Sequence, residues 1–299
     1  MINKNPRTVA SVTVLFFSYT KRKMEKSKKI IHADAAYKMG IYGQGVGIAC
    51  LDTGVSEHIE LKGKVKEFTD FVNGRLRIYD DNGHGSHVAG IIAGRKCGIA
   101  PESHLYVYKV LDETGNGQMK DMLKALSYIL QHRTKEIQII NISFGFLDNI
   151  NKYDKNMAMN YIRELWEKGI CIVCASGNRG PKLSSVTFPG VDPLVITVGC
   201  MDSFSGVGPT ESCIMKPEVI APGRRIKSLG NSMNGYGIKS GTSMAAPMVS
   251  AALALALSKN RRLTPRDLKI ALYQSCTTLF DKKNTGWGLL DVAKLLQVV

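Results

Sequence analysis

Three short stretches hold side chains that could perform nucleophilic chemistry together. Ser243 stands in Gly241-Thr242-Ser243-Met244-Ala245-Ala246-Pro247, between a glycine turn and a small-residue run that reads as a helix start. A serine hydroxyl is inert at its ordinary pKa, so it needs a base and a group that orients the base. His84, in Asp81-Asn82-Gly83-His84-Gly85-Ser86-His87, offers the base, and Asp52, in Leu51-Asp52-Thr53-Gly54-Val55, offers the orienting carboxylate. Each stretch alone reads as ordinary capping or turn sequence. Together they supply the parts of an acyl-transfer site.

The elements that must hold these residues alternate along the chain. Residues 47–51, 104–110, 137–142, 170–175 and 194–198 are short apolar, partly β-branched runs that read as buried parallel strands. Between them, Met119, Met122, Leu123, Leu126 and Leu130 recur at helical spacing, as do Met157, Tyr161 and Leu165. Alternation of this kind predicts an α/β fold with helices on both faces of a mostly parallel sheet. Ligands bind beyond the carboxyl ends of such strands, and Asp52, Ser143 and Asn178 each follow a predicted strand within three residues. Residues 242–258 read as a helix with Pro247 near its start. Thr264-Pro265-Arg266-Asp267 reads as a capping box with proline at the first helical position.

The order aspartate, histidine, serine and the composition of the three blocks resemble the subtilase family, from about Ile30 to the C-terminus. The resemblance implies a three-layer α/β/α sandwich and a serine endopeptidase working through an acyl-enzyme, with Ser243 as nucleophile, His84 as general base and Asp52 orienting it. Asn178, in Ala175-Ser176-Gly177-Asn178, matches the family's oxyanion asparagine. Gly115-Asn116-Gly117-Gln118 and Asn141-Ile142-Ser143-Phe144-Gly145 resemble the two segments that flank an extended substrate. Gly115, Gly117, Ser143, Phe144 and Gly145 are therefore expected at the peptide or protein substrate. Phe188-Pro189 resembles the family's Tyr-Pro near the primary pocket and is a candidate cis peptide. The alternative is a non-catalytic subtilase-like peptide-binding or regulatory protein, whose mark would be a substituted triad.

Composition bounds the rest. Within a net charge of +15, residues 1–29 carry +7, with eight Lys or Arg against one Glu, and the remainder carries +8. That remainder has no basic run interleaved with aromatics, so a solvated surface is expected rather than a nucleic-acid partner. The domain organisation read here is a basic extension over residues 1–29 followed by a peptidase domain over residues 30–299. Seven cysteines, most of them in apolar stretches, fit free thiols in a reducing compartment and a cytoplasmic location. Cys171 and Cys174 have metal-motif spacing, yet positions three apart on a strand face opposite sides. Residues 9–19 form an apolar run too short to span a bilayer, with no small-residue cleavage site after it, and no stable membrane insertion is expected. Export is the alternative if residues 1–23 act as a signal segment, and Met24 offers another start. Neither His84 nor His87 has further ligands at zinc spacing. The oligomeric state is not legible.

The chain also departs from the family. Subtilisins carry a calcium loop after the histidine helix, with an aspartate ligand shortly after the catalytic aspartate. Here residues 93–101, Ala-Gly-Arg-Lys-Cys-Gly-Ile-Ala-Pro, are several residues too short, and Glu60 stands at the outlying position. A hard cation needs six to eight oxygens, so the main calcium site is expected to be absent and no cofactor is expected. A different, weak calcium site stays open. The roughly 30 residues before the domain are too few for a folding propeptide. Arg179 follows the oxyanion asparagine and is expected to disfavour a basic side chain before the scissile bond.

Overall fold

The structure is a computed structural model that describes residues 26–147, 150–279 and 285–299. The apolar run at residues 9–19, Met24 and most of the basic extension lie outside the described residues. In chain order the elements are α1 (Asp34–Lys38), β1 (Gly47–Asp52), a 3-10 turn (Ile59–Leu61), β2 (Val65–Asp70), α2 (His84–Ala93), β3 (His104–Lys109), α3 (Met119–His132) and β4 (Ile139–Ile142). There follow α4 (Lys152–Glu167), β5 (Cys171–Ala175), β6 (Ile196–Cys200), β7 (Val219–Ala221), β8 (Ile226–Leu229), β9 (Tyr236–Lys239), α5 (Thr242–Lys259), α6 (Pro265–Ser275) and α7 (Val292–Val298).

Seven strands form one sheet in the order β2-β3-β1-β4-β5-β6-β7, and every pairing in it is parallel. Apolar side chains on both faces of each inner strand require a helical layer on each side. One layer packs Ile48, Cys50, Cys171 and Val173 against α2 and α5. The other packs Ala49, Leu51, Ile172 and Cys174 against α3 and α4. Cys171 and Cys174 therefore sit in different cores, as strand alternation requires, and both are free thiols. The fold is the expected three-layer α/β/α sandwich.

Strand order reverses around β1, which has β3 on one side and β4 on the other. That reversal opens a crevice at the carboxyl edge, where β1 delivers Asp52 and β4 delivers Ser143. The strand β2 was not expected, because its edge position leaves Lys66 exposed and Glu67 only partly buried. The antiparallel hairpin β8–β9 stands outside the main sheet and was also not expected. Helix α5 has 15 of its 18 residues buried and fills the space between the sheet, α2 and α7. It is long and apolar enough to cross a membrane by length and composition, but here it is a core helix, 83% buried over that window. At Thr264 the capping box and the first-turn proline are both formed.

Candidate active site

Two glycines let Asp52 and His84 meet. Gly54 follows β1 at φ +115°, and Gly85 is the second residue of α2. A Cβ on Gly85 would stand 2.1 Å from the Gly54 carbonyl oxygen, so only glycine allows this approach of helix to loop. His84 Nδ1 then lies 2.7 Å from Asp52 Oδ1, which also accepts the Thr53 N–H at 2.8 Å. Asp52 is fully buried while the His84 side chain is 22% exposed, so the imidazole's free edge can reach solvent or substrate.

Asp80 was missed by the sequence reading, although an acid just before a helix start is a capping signal. Its Oδ1 accepts from the Thr53 hydroxyl at 2.9 Å and from the N–H groups of Asn82 and Gly83. Its Oδ2 accepts from the Ser86 N–H and hydroxyl at 2.8 and 2.6 Å. Thr53 in turn accepts the Gly85 N–H at 2.9 Å. One carboxylate thus ties the residue beside Asp52 to the first turn of the His84 helix. Burial pushes the Asp80 pKa up, but these five donors outweigh it and the net shift is downward. Lys109, fully buried at the end of β3, braces the same region by donating to the Thr53 and Leu111 carbonyls and to Asp81.

Burial also opposes the charged form of His84, but the charge and hydrogen bond of Asp52 overcome it, and the pKa lies above its ordinary value. Lys239 pulls the other way and Asp80 adds to the rise. His87, one turn later, is buried with Nε2 3.1 Å from the Ile226 carbonyl, and burial first of all takes its pKa down to about 3. The two histidines therefore have different states. His87 is a neutral packing residue.

Ser243 is the second residue of α5, and α5 packs against α2, the helix that His84 begins. Thr242 ties Ser243 to Asn178. Its N–H and hydroxyl both donate to Asn178 Oδ1, at 3.0 and 3.1 Å, leaving the Nδ2 end of the amide directed elsewhere. Gly241, at φ +152°, shows where. A Cβ there would lie 3.2 Å from Asn178 Nδ2 and 3.7 Å from the Ser243 nitrogen, so both donors border the same space.

Gly115, Gly117, Phe144 and Gly145 line one open groove of about 550 Å³, with Leu111 and Phe146 among its apolar walls. Phe146 exchanges both backbone hydrogen bonds with Phe188, at 2.8 and 3.2 Å, and the Phe188–Pro189 bond is cis. Ser143 is not among the groove's lining. Its hydroxyl is buried and accepts from Asn141, whose amide oxygen takes the Ser250 hydroxyl from α5. Only its backbone is left to meet a substrate.

Glu60, at the expected position of a calcium ligand, is buried. Its Oε2 accepts the Lys96 and Cys97 N–H groups at 3.0 and 3.3 Å, and its Oε1 accepts the Tyr236 hydroxyl. Burial raises its pKa, but these bonds lower it further, and the net shift is downward. Among the described residues no group of three or more His, Cys, Asp or Glu is arranged to hold a metal ion.

Comparison with known proteins agrees with this geometry. The family model for subtilases, peptidase S8, matches residues 43–288. The chain is 34% identical to serine protease AprX of Bacillus subtilis (strain 168), covering 82% of this chain and 65% of that protein, so it spans somewhat under two thirds of that relative. It is 34% identical to the major intracellular serine protease of the same organism, covering 80% of this chain and 77% of that one. The crystal structure of a cold-adapted subtilisin-like serine proteinase superposes with a TM-score of 0.73 at 30% identity, covering 84% and 90% of the two chains. The dyad of Asp52 and His84, the amide beside Ser243 and these likenesses meet in one conclusion: the chain belongs to the subtilase family of serine proteases.

Proposed function

We propose that the protein is a serine endopeptidase that hydrolyses peptide bonds in extended segments of peptides or proteins. The observation that carries this reading is the pairing of His84 Nδ1 with buried Asp52 at 2.7 Å, at the edge where strand order reverses. Asp52 fixes the tautomer that leaves Nε2 free to take a proton. Ser243 Oγ attacks the scissile carbonyl carbon as its proton passes to His84, and the carbonyl oxygen gathers negative charge. Asn178 Nδ2 and the Ser243 N–H, which border one space, are the donors to that oxygen. The C–N bond then breaks, His84 returns the proton to the leaving amine, and water repeats the sequence on the acyl-enzyme to release a carboxylic acid.

The substrate's acyl half lies in the groove between residues 115–117 and 144–145, paired through main-chain groups. Phe144, Phe146 and Leu111 give that groove an apolar wall, so large apolar side chains are favoured there. The reaction needs no metal ion. The Glu60 oxygens already hold two N–H groups and a phenol that a calcium ion would have to displace. A cytoplasmic site of action fits seven free thiols, five of them buried, and the likeness to a protease named intracellular. The peptidase domain is residues 30–299.

A serine-directed fluorophosphonate tests the reading. Wild-type protein should be labelled and Ser243→Ala should not. A wild-type protein that folds but takes no label would instead indicate a subtilase-like binding protein.

A further inference from the structure

The hairpin β8–β9 wraps the first turn of α2 from two directions. In its loop, Asn231 stands against Gly83, where a Cβ would lie 3.2 Å from the Asn231 Cβ. In its strands, Ile226 is the register partner of Lys239, and the Ile226 carbonyl holds His87 at 3.1 Å, one helical turn from His84. Lys239 ends β9 four residues before Ser243, and its register partner Ile226 holds the helix that His84 begins. It is only partly buried, and among the described residues no carboxylate forms an ion pair with it. Side chains two apart on a strand share a face, and a Cβ added at Gly237 would meet nothing within 4 Å. Space is thus left beside Lys239 at the Gly237 position, on the half-buried face that the two residues share.

The chemistry fixes which half of a substrate runs there. The acyl half occupies the groove of residues 115–117 and 144–146. His84 must reach the departing amine nitrogen, so the chain beyond the scissile bond leaves past His84, on the side that the hairpin covers. We propose that Lys239 is a specificity-determining residue that favours substrates with an acidic side chain within the first three positions after the scissile bond. The inference rests on the proteolytic reading given above. The Lys239 charge acts on both histidines, opposing Asp52 and Asp80 at His84, in keeping with the hairpin's contacts to that helix.

The test uses full-length protein and internally quenched peptides that differ only in Glu, Gln or Lys at each of those three positions. The readout is the Glu-to-Lys ratio of kcat/KM, which is internal to each variant and insensitive to the fraction folded. Wild type should prefer Glu at one position by about two- to fivefold at low ionic strength, the range of a solvent-accessible ion pair, with the preference shrinking in added salt. Lys239→Gln should bring the ratio to about one, and Lys239→Glu should invert it. Lys239→Glu should also move the acid limb of the pH profile upward, because a cation facing His84 becomes an anion beside Asp52 and Asp80. A wild-type ratio near one at all three positions, or a ratio unmoved by Lys239→Glu, overturns the proposal while fluorophosphonate labelling still stands. Failure of labelling overturns the proteolytic reading itself.

Discussion

Thr242 holds the Asn178 side chain by one end only. Two donors from a single residue fix Oδ1 at 3.0 and 3.1 Å, and the amide nitrogen is thereby turned toward the space beside the Ser243 N–H. An oxyanion donor that is held before substrate arrives costs no reorganisation when charge develops. In subtilisin, the relative from which the figure comes, losing such a donor costs roughly 10² to 10³ in turnover. Asn178→Ala is expected to fall in that range with KM little changed. Gly241→Ala should impair kcat as well, since its Cβ would intrude 3.2 Å from Nδ2 at a backbone angle that suits glycine. Steady-state kinetics on one quenched peptide decide both. An Asn178→Ala enzyme with wild-type kcat would remove Asn178 from the mechanism.

The pairing of His84 with Asp52 predicts a pH dependence. His84 acts as a base only when neutral, and its pKa lies above the ordinary 6.5, with burial opposing and Asp52 driving the rise. The free enzyme's kcat/KM should therefore climb with pH through a midpoint above 6.5. Replacing Asp52 by Asn removes the main raising influence, so the His84 titration should move down in Ser243→Ala/Asp52→Asn relative to Ser243→Ala. Imidazole NMR resonances would show it, and an unchanged midpoint would exclude Asp52 as the cause.

Asp80 joins the two motifs, so it should matter for stability as well as for rate. Its five donors hold an anion, and hydrogen bonds to charged groups are worth about 1.5–3 kcal/mol each in favourable cases. Asp80→Asn keeps the shape but turns two donor contacts into amide-to-donor clashes, with an expected loss of about 2–3 kcal/mol. The folded pKa is depressed below 3.8, so this contribution is present above the unfolded value and is lost as pH falls through the folded one. Denaturant titrations of both proteins should differ by a constant amount at neutral pH. They should converge only in acid below 3.8.

Glu60 leads to a prediction about chelators. Its carboxylate, occupied by the Lys96 and Cys97 N–H groups and the Tyr236 hydroxyl, ties the turn after α2 to β9. Activity and melting temperature should be unchanged by EDTA and by added calcium. Glu60→Ala should lower stability by about 2–4 kcal/mol, because buried N–H groups lose their acceptor. Calcium that restored activity after chelation would contradict this.

The legible parts of the molecule were those whose pattern is local. The five inner strands show as apolar runs because both their faces are buried, and the Thr264 helix start shows because its cap is written in four consecutive residues. The edge strand β2 and the hairpin β8–β9 were illegible. Lys66, Glu67, Gly237 and Lys239 break the apolar pattern where one face meets solvent, and pairing rather than composition makes them strands. At the site, Asp52, His84, Ser243 and Asn178 were readable as motif residues. Asp80, Thr53 and Thr242 act through hydrogen bonds between segments distant in sequence; of these only Asp80 has a local signal, as an acid before a helix start, and that signal does not tell which segments it joins. Ser143 follows β4 directly, but its hydroxyl turns inward because Asn141 and Ser250 complete a buried network there.

Helix α5, whose second residue is Ser243, has almost no solvent face. Ser243 is thus carried by a core element: an engineer has little freedom in α5, where nearly every substitution is a packing substitution. Divergence is channelled into the loops around residues 115–117 and 144–146 and into the β8–β9 hairpin. Those segments can be altered while the helix that carries Ser243 is left untouched.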